Sequence, residues 1–235
     1  MTLLSIVQTV ADRIPVAKPS FVINSGDDTT RQLLAIAQAE GKSLAKRTPW
    51  QALQKEATFA TVATETQGTL ATIASDLSRH YIRFCTLWNR TEEEPYDGPI
   101  DAKMWQAIKG ENITGPNDWF RIWQDSLYIT PAPTAGDTAA LEYISVNWCQ
   151  SSGSVGQSAW AADTDTGILD EDIMTLGILW RFKKDHGLDY AQDFVEYEQQ
   201  VNDAISKDGG KPTVYMGGGS LRRGVLVGDS VTRSF

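Results

Sequence analysis

The chain has 235 residues, ordinary apolar content and a net charge of −9. It is long enough for one large domain or two smaller ones and too apolar to be disordered throughout. No apolar run approaches the length of a membrane span. Cys85 and Cys149 are the two cysteines; they make neither a disulfide framework nor a CxxC motif, which suits a cytosolic product.

The charge is unevenly spread. Residues 209–235 carry Lys211, Arg222, Arg223 and Arg233 against Asp229, a local balance of +3 that leaves −12 on the remainder. A phosphate-binding domain shows a basic stripe on its folded body, so this acidic body argues against nucleic acid as the main ligand. The asymmetry suits a basic tail seeking an acidic protein surface, or a solvated terminus.

In chain order, Leu3, Ile6, Val7, Val10 and Ile14 fall at helical spacing, with Thr2 as N-cap and Pro15 as stop. This start lacks a basic n-region and reads as an amphipathic helix, not a signal peptide. A second helix is predicted from about Asp28 to Lys46, ended by Thr48-Pro49. Glu56 to Thr66 is rich in Thr, Val and Phe and predicts a strand. Gln67-Gly68 is then its turn and Thr69 to Ile73 its partner. Asp76 to His80 reads as a helical turn, Phe84 to Asn89 as a strand, and Thr91 to Gly98 as a surface loop. A short helix capped by Asp101 follows, with Met104, Trp105 and Ile108. An antiparallel meander is expected over Trp119–Trp123, Ser126–Thr130 and Ala139–Trp148. The Ser/Gly-rich stretch 150–157 reads as a flexible connection. Two helices close the pattern. One starts near Asp170 with apolar residues nearly all round, which marks it as central. The other carries Tyr190, Phe194, Tyr197, Val201 and Ile205 and stops at Gly209-Gly210.

The fold expected is α+β: a mostly helical bundle formed by the N- and C-terminal helices, with an inserted antiparallel β-rich module and an extended C-terminal tail. Its divisions are 1–50 with 158–208 for the bundle, 51–157 for the module and 209–235 for the tail.

Motifs for chemistry fail on spacing. Gly41-Lys42-Ser43 lacks the earlier glycine of a phosphate loop, because position 36 is Ile, and it falls inside a helix. Asp163-Thr164-Asp165-Thr166-Gly167 opens like a calcium loop, but Ile168 takes the sharp-turn position and Met174 the bidentate one. A polar loop with an acidic helical turn is the preferred reading. No Gly-x-Ser-x-Gly elbow occurs. His80 and His186 are the only imidazoles, and neither has a metal-ligand partner at helical or strand spacing. No catalytic residue, metal or cofactor is expected. A small hydrolase using paired carboxylates and a non-enzymatic protein-binding module are the competing readings.

Four segments in order resemble the head-to-tail adaptor (connector, head completion) proteins of tailed bacteriophages. They are Thr86 to Arg90 before the short Trp-bearing helix; Trp119 to Ile122 with Leu127 to Pro133 and Ala135 to Thr138; Leu141 to Ser145; and Asp163 to Asp193. The resemblance implies a structural virion protein of the neck, present in the host cytoplasm during assembly. It implies a homo-oligomeric ring, a dodecamer by portal symmetry, beneath the portal and above a downstream tail or neck protein. DNA would be met at most non-specifically in the lumen, and no membrane is involved. Such adaptors reach the portal with C-terminal segments. Here the candidates are Lys211, Arg222, Arg223 and Arg233 for charge, and Val225, Leu226, Val227 and Phe235 as apolar anchors, with Val225 to Val227 suited to adding a strand to another sheet.

Overall fold

The computed structural model describes residues 1–82, 86–111 and 118–208. The elements in order are α1 (Leu3–Ala11), α2 (Asp28–Ala45), a 3-10 turn (Gln51–Leu53), β1 (Gln54–Ala60), β2 (Thr66–Thr69), α3 (Leu70–Ile73), β3 (Leu77–Ile82), β4 (Trp88–Asn89) and β5 (Glu94–Asp97). They continue with α4 (Ala102–Glu111), β6 (Asp118–Trp123), β7 (Ser126–Thr130), β8 (Thr138–Ser145), β9 (Cys149–Gln150), β10 (Gly156–Gln157), β11 (Thr166–Gly167), α5 (Glu171–Asp185) and α6 (Ala191–Lys207).

Helix starts follow capping chemistry. Thr2 accepts the Ser5 N–H at 3.3 Å, and Asp27 accepts that of Thr30 at 2.8 Å. Asp101 accepts that of Met104 at 2.6 Å, and Asp170 accepts those of Asp172 and Ile173. Each cap satisfies donors that the first turn leaves open, worth about 1 kcal/mol.

The expected mostly helical bundle with an antiparallel insert is corrected by the middle of the chain. Among the described residues the protein is α+β with six helices and a large curled, mixed sheet of eight strands, ordered β1-β8-β4-β5-β6-β7-β2 with β3 also on β8. Residues 119–130 form the expected hairpin. β8 then leaves it, pairing with β1 through Gln54↔Ile144 to Ala60↔Thr138 and with β4 through Trp88↔Ala140. No simple meander forms, and β5 lies parallel to β6.

Local signals misled at four places. Gln67-Gly68 is a bulge inside β2, not a turn: Gly68 sits at φ 125°, and the register on β7 shifts between Thr66 and Gly68. Of the expected partner strand, Thr69 to Ile73, Thr69 closes β2 and Leu70–Ile73 form the helical turn α3. Asp76 to His80 enters strand β3 because β8 supplies pairing partners. Glu94 to Asp97 is a strand despite its acidic, proline-bearing sequence, held between β4 and β6. The Ser/Gly-rich stretch is a tight turn joining β9 to β10, closed by Ser151 N–H on Val155 O at 2.9 Å. Phe84 and Cys85 of the expected 84–89 strand, and 209–235, lie outside the described residues.

Two apolar clusters form. One gathers Leu3, Ile6, Val7 and Val10 of α1, Leu33 and Leu44 of α2, and Ile173, Met174 and Ile178 of α5 with Tyr197 and Val201 of α6. The other lies within the sheet: Leu87, Tyr96, Phe120, Leu127, Ile129, Leu141 and Tyr143. β8 feeds both, because Ile144 and then Trp148 project into the helical cluster. Trp148 stands edge-on to Trp160 at 5.1 Å between ring centroids and covers Gly41, where any Cβ would overlap its ring.

α5 packs on α1, α2 and α6, as its all-round apolar pattern requires. At its middle, Glu40 of α2 is fully buried. Its carboxylate pairs with Arg181 and accepts the Tyr197 hydroxyl at 2.7 Å. Burial raises the Tyr197 pKa, which keeps that hydroxyl a donor. Gly177 makes the approach possible, since a Cβ there would overlap the Glu40 carboxylate. Arg181→Met should therefore cost about 3 kcal/mol or more, because it strands a buried carboxylate. Urea unfolding with an unchanged midpoint would contradict this account of the helix packing.

Candidate interaction surfaces

The residues singled out for chemistry have structural employment. The Asp163 carboxylate accepts the N–H groups of Val22 and Ile23, the shortest at 2.8 Å. The Asp165 carboxylate, which is buried, accepts those of Ala161 and Ala162 at 2.7 and 2.8 Å. Their backbone carbonyls take the Leu4 and Leu3 N–H groups. The calcium-like run is thus a clasp that holds α1 and the loop after it against α5. The structure explains this loop without a cation.

Lys42 and Lys46 line a cavity of about 340 Å³ with Ser78, Ser145, Trp148 and Ser158, where α2 faces the sheet. Its Gly41 neighbour serves Trp148 and forms no phosphate cradle. His186 is the C-cap of α5; its Nδ1 lies 2.9 Å from Phe182 O and its ring stacks on Phe182 at 4.0 Å. His80 has a place in β3, but its side chain lies outside the described residues. Burial, then the Asp165 charge, pushes the Cys149 thiol up to about 12, so it is a protonated core side chain.

Asp76 is a strongly tuned carboxylate. Burial pushes it up, but hydrogen bonds from Lys55, Tyr143 and Ser145 outweigh that and bring it down to about 2. Tyr143 and Ser145 donate at 2.6 and 2.7 Å, and Asn147 at 3.3 Å, so one carboxylate ties the start of β3 to β1 and β8. Its environment is a structural anchor.

Three surfaces stand out as places for contact. At the tip joining α5 to α6, Leu188, Tyr190, Phe194 and Val195 are exposed around Trp180. Trp180 is ringed by Phe194 at 5.1 Å and Tyr197 at 6.0 Å, with the Arg181 guanidinium 4.5 Å from its own ring centroid. The second surface joins α4 to the β6–β7 hairpin: Trp123 is 48% exposed, Arg121 and Tyr128 are half-buried, and Trp105 is buried beneath them. The third is the acidic turn before β5, where Glu92 and Glu93 are exposed. Sequence reading registered the tryptophans and acidic residues but had no means to group them, because the groups join separate elements. The tail residues Lys211, Arg222, Arg223, Val225, Leu226, Val227, Arg233 and Phe235 lie outside the described residues.

An α+β body with aromatic, charged patches on several faces is organised for contact with other proteins. The chain matches the SU10 adaptor protein family over residues 1–224 and belongs to that family, a phage adaptor-type family. It is therefore classed with bacteriophage structural proteins. A comparison with curated proteins finds no match. No described helix is long and apolar enough to cross a membrane.

Two outcomes test this account. The folded Asp76 pKa is depressed, so its stabilisation is present above the ordinary value of 3.8 and is lost as pH falls towards about 2. Asp76→Asn should cost on the order of 1 kcal/mol at neutral pH after allowance for solvent around Lys55, and the difference should vanish near pH 2. A pH-independent gap in urea midpoints would show that the carboxylate charge is not the cause. Separately, Asp163→Ala should lower stability by about 1–2 kcal/mol by stranding two N–H groups, while millimolar calcium leaves the wild-type Tm unmoved. A rise in Tm with calcium would restore the cation loop.

Proposed function

We propose that the protein is a head-to-tail adaptor: identical subunits form a ring beneath the portal and join the DNA-filled head to the tail. Membership of an adaptor family across residues 1–224 carries this reading. The surface composition supports it, since Trp, Tyr and Arg are the side chains that protein interfaces concentrate. The partners are the portal protein, a downstream tail or neck protein, and further copies of the chain, twelve by the portal symmetry that the resemblance implies. The place of action is the virion neck, reached from the host cytoplasm, and the task is mechanical, not catalytic.

The same proposal divides the chain by task. The helical part, 1–50 with 158–208, and the sheet-bearing part, 51–157, form the body, and 209–235 docks on the portal. Arg222 and Arg223 pair there with acidic groups, while Val225, Leu226 and Val227 add a strand to a portal sheet. Deleting 209–235 should leave the Tm of the isolated subunit almost unchanged and abolish attachment to portal-bearing heads. Truncated protein that still joins heads at normal occupancy would move the docking surface to the body. Electron microscopy of assembled particles tests the ring: one copy, or none, at the neck ends the proposal.

A further inference from the structure

Two of the exposed surfaces occupy opposite ends of one strand pair. β5 and β6 are parallel, with Tyr96 opposite Asp118 and Asp97 opposite Trp119. Glu94 therefore lies level with a point before β6 begins, whereas Trp123 closes β6. Seven strand positions separate the two levels, roughly 23 Å at about 3.3 Å per residue. The acidic turn and the aromatic hairpin of one chain therefore lie at opposite ends of this strand pair.

The turn is held firmly. Asn89, itself buried, accepts the N–H groups of Thr91 and Glu92 at 3.0 and 3.2 Å, and the Thr91 hydroxyl accepts that of Thr138 at 2.9 Å. Arg90 is paired with Glu56, so its charge is already engaged. Glu92 and Glu93 project from this fixed frame, and Glu94 and Asp118 add to the negative field behind them: burial and then Glu94 raise the Asp118 pKa.

At the other end the Arg121 guanidinium lies 5.7 Å from the Trp105 ring centroid and 5.4 Å from that of Trp123. Tyr128 braces both rings, at 6.1 and 5.9 Å. Lys109 also lies over Trp105, but it is paired with Glu65. Among the described residues Arg121 has no carboxylate within ion-pair distance. A guanidinium held between aromatic faces keeps its planar donor edge free for a bidentate carboxylate.

Complementary surfaces held this far apart on one chain meet only between molecules, and repeating that contact builds a ring or a filament. We propose that the Trp105–Arg121–Trp123 ladder of one subunit receives the Glu92–Glu93 turn of the next copy. This contact rests on the ring reading and gives it residues. Both sides are fixed before they meet, so little side-chain freedom is lost on docking.

A charge swap in the full-length chain tests it. R121E spoils the ladder and keeps the turn; E92R/E93R spoils the turn and keeps the ladder. Each variant alone should load portal-bearing heads with at least tenfold fewer copies than wild type, with Tm unchanged. An equimolar mixture should recover to within about twofold, because alternating subunits restore opposite charges at every contact. The exposed turn variant keeps the test decisive if R121E melts early, since its own loss of loading is required. Variants that load normally, or losses that mixing does not repair, overturn the contact; in the latter case the ladder faces another protein. Wild type that loads as a single copy overturns the ring and this contact together.

Discussion

A carboxylate with no exposure must find its charge partner and its hydrogen bonds inside the protein, and Glu40 finds them on two other helices. Arg181 of α5 supplies the charge and Tyr197 of α6 a hydroxyl. The cost of leaving such a group unpaired is several kcal/mol, so only one relative placement of α2, α5 and α6 is acceptable. Gly177 is the steric condition for that placement. Arg181 extends the arrangement outward over Trp180. Arg47 at the end of α2 extends it again by pairing with Glu198 and lying 5.9 Å from the Tyr197 ring. The aromatic tip of α5 and α6 is thus exposed on a frame that the buried pair keeps fixed.

β8 joins the sheet to this frame. β8 carries Leu141 and Tyr143 in the sheet cluster and Ile144 in the helical cluster, and Trp148 beyond it fills the gap over Gly41. Asp76, just ahead of β3, binds β1 and β8. Within the sheet the β6–β7 hairpin reaches β8 across β5 and β4, and β8 then enters the helical cluster.

The acidic character that argues against nucleic acid also has local structural uses. Asp27, Asp101 and Asp170 cap helices, Asp163 and Asp165 clasp the N-terminal segment, and Asp76 anchors the sheet. Carboxylates used this way accept backbone or side-chain donors and are withdrawn from chemistry. Those left projecting, such as Glu92 and Glu93, are available to a partner.

The long helices were legible in the chain because their signals are local: Thr2, Asp27 and Asp170 precede apolar residues at helical spacing, and a cap acts within one turn. The β6–β7 hairpin was legible for the same reason, with alternation on either side of a two-residue turn. What sequence could not show was pairing at a distance. Glu94 to Asp97 has no strand propensity of its own; β4 and β6 hold it extended. Gly68 reads as a turn until β7 lies beside it and makes it a bulge. The contact surfaces depend on the same long-range step. Trp105, Arg121 and Trp123 were visible singly, but the ladder exists only because α4 packs against a hairpin whose turn residues lie beyond it in the chain. Capping and periodicity are written in neighbouring residues, whereas sheet order and surface grouping are set by which distant segments share hydrogen bonds.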